Sequence, residues 1–310
     1  MAVRTLQVDR KTADVVRALE AAGVASILLK GPSVEHWLGD NLARAYGDTD
    51  LLVPRKSFVE AERTLGRFGF TCLRDTNPFD AVERGLYHAR KWKRPDGAVV
   101  DLHCTVPGVG VTPEKLWEIL RDETATLRVG GAEVDVLGRV ATAVQLALHA
   151  AVHGAKKAKP LGELQRALDR FDRSTWSAAR ALAERLNAIP AFATGLRLLP
   201  AGCRLADQLK LPRERSVEVA LRATSPPRGA LAFEQLARTR GVRPLAATVL
   251  RRLFPPPSFM RNRFPLASRG PVGLLAAYVA RLLSMPAMFG PAFRAWARAR
   301  RQVRLPDRTV

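Results

Sequence analysis

A chain of 310 residues, 47% of them hydrophobic, is long enough to bury a substantial core in about two domains and too apolar to be disordered over most of its length. The formal net charge of +21 is uneven: residues 1–150 hold 20 basic and 20 acidic side chains, whereas residues 151–310 hold 30 and 9, so the second half carries the whole excess. Cys72, Cys104 and Cys203 lack Cys-x-x-Cys spacing and Met1 to Asp9 lacks the apolar core of a secretory signal, which argues against a zinc site or a disulfide framework and for reduced thiols in the cytoplasm.

In chain order, Asp9 to Gly23 predicts a helix with Asp9 as N-cap and Gly23 as its stop. Val24 to Leu29 reads as a strand and Ser33 to Gly39 as a short helix. The run Leu51-Leu52-Val53 belongs to a second strand, followed by a helix from Pro54 to Phe68 and a strand from Phe70 to Arg74. Asp75 to Arg84 reads as a loop. Pro95-Asp96-Gly97 is a turn signal between the strands Leu86 to Arg94 and Ala98 to Cys104. A second hairpin is centred on Gly130-Gly131. From Arg139 the pattern is helical: Val140 to His153, Leu161 to Phe171, Ser174 to Asn187 and Pro190 to Leu209. Pro226-Pro227 and Pro255-Pro256-Pro257 mark linkers. The longest apolar stretch, Pro271 to Phe293, is interrupted by Arg281, Pro286 and Pro291 and reads as an amphipathic or buried helix pair rather than a spanning segment. Strands alternating with helices, then a hairpin, then helices alone, predict an α+β protein with a mixed sheet and an α-helical C-terminal part. The expected division is residues 1–137, 138–225 and 226–310.

The chemistry concentrates in Asp48-Thr49-Asp50. Carboxylates two apart on a strand share a face, and here they border an apolar run. Clustered carboxylates resist desolvation unless a cation neutralises them, and acidic oxygen ligands suit Mg²⁺. Upstream, the apolar strand ends in Lys30-Gly31-Pro32-Ser33, a turn that lets the backbone approach a phosphate, beside a charge and a hydroxyl. Downstream, Val99, Asp101 and His103 share one strand face, and an aspartate inside a β-branched strand runs against propensity. Arg44 precedes Asp48 by four residues. His149 and His153 are spaced i, i+4 on one helical face. No P-loop, Rossmann fingerprint, nucleophile elbow or His-Glu-x-x-His occurs.

Leu29-Lys30-Gly31, then Arg44 through Asp48-Thr49-Asp50-Leu51-Leu52-Val53, then Asp101-Leu102-His103 resembles a bacterial nucleotidyltransferase-like family of the DNA polymerase β superfamily. His149 and His153 match a His-x-x-x-His helix of such proteins, and the resemblance covers roughly residues 10 to 210. Departures are Pro32 after the turn, Thr49 in place of an apolar residue, and Cys104 in place of a large aromatic. The resemblance implies a polymerase β-like nucleotidyltransferase sheet and transfer of a nucleoside monophosphate from an NTP to a hydroxyl acceptor with release of pyrophosphate. It implies Mg²⁺, with Mn²⁺ as substitute, on Asp48, Asp50 and Asp101. Lys30, Gly31 and Ser33 would meet the triphosphate, with Arg44, His149 and His153 lining the nucleotide site. The acceptor stays open between protein, RNA and small molecule. Two alternatives remain: the same fold as a non-catalytic binding or scaffold protein in a biosynthetic pathway, and a basic protein whose second half meets an anionic partner, RNA or a membrane surface.

Overall fold

The computed structural model describes residues 2–39, 46–73, 89–155, 157–213, 217, 220–221, 229–239 and 241–304. Arg44, the loop expected at 75–84 and the linker at Pro226-Pro227 lie outside them. The chain divides into two units, residues 1–75 with 88–213, and residues 76–87 with 214–310.

The first unit is built on a sheet whose described strands run β3-β4-β5-β2-β1-β7-β6. They are β1 (Ile27–Leu28), β2 (Thr49–Leu52), β3 (Thr71–Leu73), β4 (Ala89–Lys93), β5 (Val99–His103), β6 (Thr124–Val129) and β7 (Ala132–Leu137). Pairing is mixed, as expected: β2–β5 and β1–β7 are parallel, and the remaining neighbours are antiparallel. Each turn predicted from glycine forms. Gly97 and Gly130-Gly131 adopt positive φ at the two hairpin ends.

Two cores flank the sheet. On one face α1 (Ala2–Ala21) and α3 (Phe58–Arg67) lay Val16, Leu19, Phe58 and Leu65 against Leu51 and Val100. The helix α1 begins well before Asp9, which is therefore not its cap; the Asp9 carboxylate instead accepts the hydroxyl of Tyr46. On the other face lie α2 (Pro32–Leu38), α4 (Pro113–Arg121), α5 (Arg139–His153), α6 (Ala158–Arg170), α7 (Arg173–Arg185), α8 (Ile189–Leu196) and α9 (Pro200–Gln208). Thr112 caps α4 by accepting the Lys115 amide, and Asp172 caps α7 by accepting the Thr175 amide. The segment expected as one helix from Pro190 to Leu209 is two, because Leu199 is extended ahead of Pro200.

The boundary expected after residue 137 is not a division of the structure. Sheet residues Ile27, Leu29, Leu52 and Leu137 share one core with Leu146 of α5 and Phe192 of α8. The helices cover an apolar sheet face that would otherwise meet water, so sheet and helices through residue 213 form one unit. Trp176 of α7 is buried between Phe171 and Phe192, at ring separations of 6.0 and 6.4 Å. Where α8 crosses α5, Gly195 meets the backbone of Ala147.

The second unit contains α10 (Ala230–Arg238), α11 (Val242–Leu253), α12 (Pro257–Arg263) and the 35-residue α13 (Gly270–Arg304). The helix pair expected at its end is instead one helix, which carries Pro286 and Pro291 inside it. Its segment Gly270–Ala287 is long and apolar enough to cross a membrane by length and composition alone, and 22% of that segment is buried.

Candidate functional site

Strand β2 sits between β1 and β5, and its alternation fixes which side chains meet the chemistry. Thr49 and Leu51 point to the α1 side, where the Thr49 hydroxyl lies 2.8 Å from that of Thr12. Asp50 and Leu52 point to the opposite side, where Leu52 is enclosed with the helices. The parallel register pairs Asp50 with Asp101 and Leu52 with His103. The antiparallel register of β4 places Lys91 across from Asp101. Asp50, Asp101, His103 and Lys91 therefore gather through three adjacent strands.

Each carboxylate has its own cation. Lys30, at the end of β1, donates from Nζ to Asp50 Oδ1 at 3.1 Å, and His103 Nε2 lies 3.1 Å from the same oxygen. Lys91 Nζ stands 3.3 Å from Asp101 Oδ2. Like charges on adjacent strand positions repel, and these partners offset the repulsion. Burial acts to raise the Asp50 pKa, but the hydrogen bonds and charges of His103 and Lys30 outweigh it and hold the carboxylate well below its usual range. Asp101 differs. Burial dominates, Lys91 compensates in part, and the neighbouring charges of Asp50 and Asp48 push the same way as burial, so its pKa is raised. Its Oδ1 is buried without a hydrogen-bond partner among the described residues. Such an oxygen is costly to leave unsatisfied and is available to a proton or a cation.

Asp48 lies just outside β2, half-buried and within electrostatic reach of Asp101. Gly31 caps α2 at φ 72°, and a Cβ there would stand 3.4 Å from the Tyr46 ring, so the turn closes against an aromatic side chain. Ser33 is fully buried, and its hydroxyl donates to the Leu137 carbonyl at 3.4 Å. That places it in the interior rather than at a phosphate-facing surface. His149 Nδ1 lies 3.8 Å from the buried Glu163 of α6, and the His149 and His153 rings meet edge to face at 4.6 Å. These contacts belong to the helical layer. Among the described residues no group of three or more His, Cys, Asp or Glu side chains is placed to hold a metal ion by itself. The aspartate pair thus offers part of a ligand set, and hard cations such as Mg²⁺ commonly complete theirs with substrate phosphate oxygens.

One contributor, Lys91, is not marked as a site residue by the sequence. His103 is marked by sharing the Asp101 face, but its contact with Asp50 depends on the β2–β5 register. Lys91 could have been found by counting back from Pro95-Asp96-Gly97, because that turn sets the strand it faces.

Residues 1–201 match a sequence family described as uncharacterised nucleotidyltransferase. Among solved structures, the chain is similar to the antibiotic-resistance factor ANT(2'')-Ia, at 15% identity, covering 61% of this chain and 97% of that one, with a TM-score of 0.43. It is also similar to an antigenic nucleotidyltransferase-like protein from Paracoccidioides brasiliensis, at 12% identity, covering 60% and 91%, with a TM-score of 0.36. No curated protein matches the sequence.

Proposed function

The chain belongs to the uncharacterised nucleotidyltransferase family, and from that premise we propose that it moves a nucleoside monophosphate from an NTP to a hydroxyl acceptor in a Mg²⁺-dependent reaction. The observation that carries the reading is the in-register pair Asp50 and Asp101, one carboxylate held ionised and the other with raised proton affinity and a buried, unpartnered oxygen. Two neighbouring carboxylates with pKa values driven apart are a division of labour between charge and proton transfer.

Asp50 and Asp101, with Asp48 at the rim, would hold the divalent cation, Mg²⁺ with Mn²⁺ as substitute, and the metal supplies charge neutralisation on the triphosphate and an acidified acceptor hydroxyl. The acceptor oxygen forms a bond to the α-phosphorus, the bond from that phosphorus to the bridging oxygen breaks, and pyrophosphate leaves. Asp101 takes the acceptor proton on its unpartnered Oδ1. His103 orients Asp50 by its hydrogen bond. Lys30, tethered to Asp50 and next to the Gly31 turn, is assigned to the triphosphate charge. Arg44, His149 and His153 remain candidates for the nucleotide on family resemblance alone, and the acceptor class is open between protein, RNA and small molecule.

A second reading, nucleotide binding without transfer, draws on the engagement of Asp50 by Lys30 and His103, which neutralises that carboxylate with no metal. Thermal unfolding of wild type, Asp50→Asn and Asp101→Asn with each NTP, with and without Mg²⁺, tests both. A ligand at about 100 times its Kd stabilises the folded state by about 2.7 kcal/mol. Transfer predicts a shift that needs Mg²⁺ and is lost in both variants. A shift independent of Mg²⁺ supports binding alone, and none with any nucleotide removes both readings.

A further inference from the structure

Nine of the twelve large hydrophobic side chains that stand exposed among the described residues lie in the second unit, and the densest series follows one helix. Along α13, Val272, Leu275, Val279 and Leu283 are 49 to 80% exposed at spacings of three and four. This spacing makes one continuous outward stripe. Pro286, Ala287 and Gly290 extend the exposed surface without adding charge. The opposite stripe, Ala277, Met285, Ala292 and Ala299, is buried within the unit. Arg281 lies on that inner side, donating from Nη2 to the Arg252 carbonyl at 3.1 Å, with its guanidinium 5.6 Å from the Phe259 ring centre. The helix is apolar on both sides, and among the described residues of its unit only one side has protein against it.

Charge identifies what covers the other. From residue 235 to residue 306 the chain has 14 arginines and no carboxylate. Past the apolar stripe, α13 exposes Arg294, Arg298 and Arg301. An apolar helix face flanked by exposed arginines matches the two layers of an anionic bilayer surface, acyl chains beneath phosphate headgroups. Nucleic acid would satisfy the arginines and leave the leucine stripe in water. A spanning arrangement would break the packing of Ala277 and the bonds of Arg281. We propose that the outward face of α13 docks in the plane of an anionic membrane surface, with Leu275 and Leu283 entering the acyl region and the arginines on the headgroups. The inference is independent of the nucleotide site.

The test is flotation of the full chain with vesicles of phosphatidylcholine alone or with about 30% phosphatidylserine, for wild type and for Leu275→Glu/Leu283→Glu. Both substituted side chains are more than 60% exposed, and circular dichroism checks that the variant is folded. Wild type is expected to float with anionic vesicles at least about tenfold better than with neutral ones, and the variant to lose at least about tenfold of that binding. An Arg294→Glu/Arg298→Glu/Arg301→Glu variant should lose the anionic preference. A folded leucine variant that floats as well as wild type overturns the proposal. So does absence of flotation combined with RNA binding, or with self-association by light scattering that the leucine variant abolishes. Retention of membrane-bound wild type after alkaline carbonate extraction overturns the in-plane arrangement in favour of a spanning one.

Discussion

Asp50 and Asp101 are neighbours in register, yet replacing each with asparagine should move stability in opposite directions. Asp50 is almost fully buried and accepts from Lys30 and His103 on one oxygen. Asp50→Asn weakens two charge-assisted bonds and leaves the lysine without its counter-charge, which costs about 2–4 kcal/mol. For a unit of roughly 200 residues, where 1 kcal/mol corresponds to about 2–4 °C, a loss near 3 kcal/mol lowers Tm by about 6–12 °C. Asp101 keeps an oxygen buried and unpartnered, and its ionised form is disfavoured by burial. Asp101→Asn removes that charge, so its Tm at neutral pH should equal or exceed that of wild type. The pH dependences differ in sign as well. The Asp50 pKa is depressed, so its contribution is present above the ordinary value of 3.8 and is lost as pH falls through the folded value. The Asp101 pKa is raised, so wild type loses stability as pH rises from 3.8 through the folded value, and the advantage of Asp101→Asn opens over that window. Differential scanning fluorimetry from pH 3 to 8 with chelator present reads the Asp101 effect and, at its acid end, the onset of the Asp50 loss. Equal destabilisation by the two variants, or an Asp101→Asn advantage that shrinks with rising pH, would refute the assignment of opposite electrostatic roles.

Gly195→Ala would drive a Cβ into the Ala147 carbonyl oxygen, and should cost about 3 kcal/mol, read as a lower urea midpoint with unchanged slope. Gly31→Ala combines φ 72° with contact against Tyr46, and should cost about 1–2 kcal/mol while weakening any NTP-dependent shift in Tm. Tyr46→Phe removes the hydroxyl that Asp9 accepts, and should cost about 1 kcal/mol by urea unfolding. Lys30→Met should abolish an Mg²⁺-dependent NTP shift; survival of the full shift would remove Lys30 from the triphosphate.

The Asp48-Thr49-Asp50 face, the Pro95-Asp96-Gly97 hairpin and the helical run after Arg139 were legible because each is local. Period-two alternation decides which side chains share a strand face, and a Pro-Asp-Gly turn closes a hairpin with little help from the rest of the chain. The start of α1 was misplaced because a polar residue within a helix can mimic a cap when its real partner, Tyr46, lies 37 residues away. The domain boundary at 137 failed for a related reason: a change from strands to helices marks a change of element, whereas a unit is defined by shared burial. The carboxylates, the glycine turns and the strong positive charge of the second half follow from residue identity and local pattern. It takes the fold to set Asp101 beside Asp50, to converge Lys30 and His103 on one oxygen, to enclose Ser33, and to leave an apolar face of α13 exposed among the described residues. Strand order and helix packing bring together residues tens of positions apart, and no local pattern encodes which of two apolar helix faces finds a neighbour.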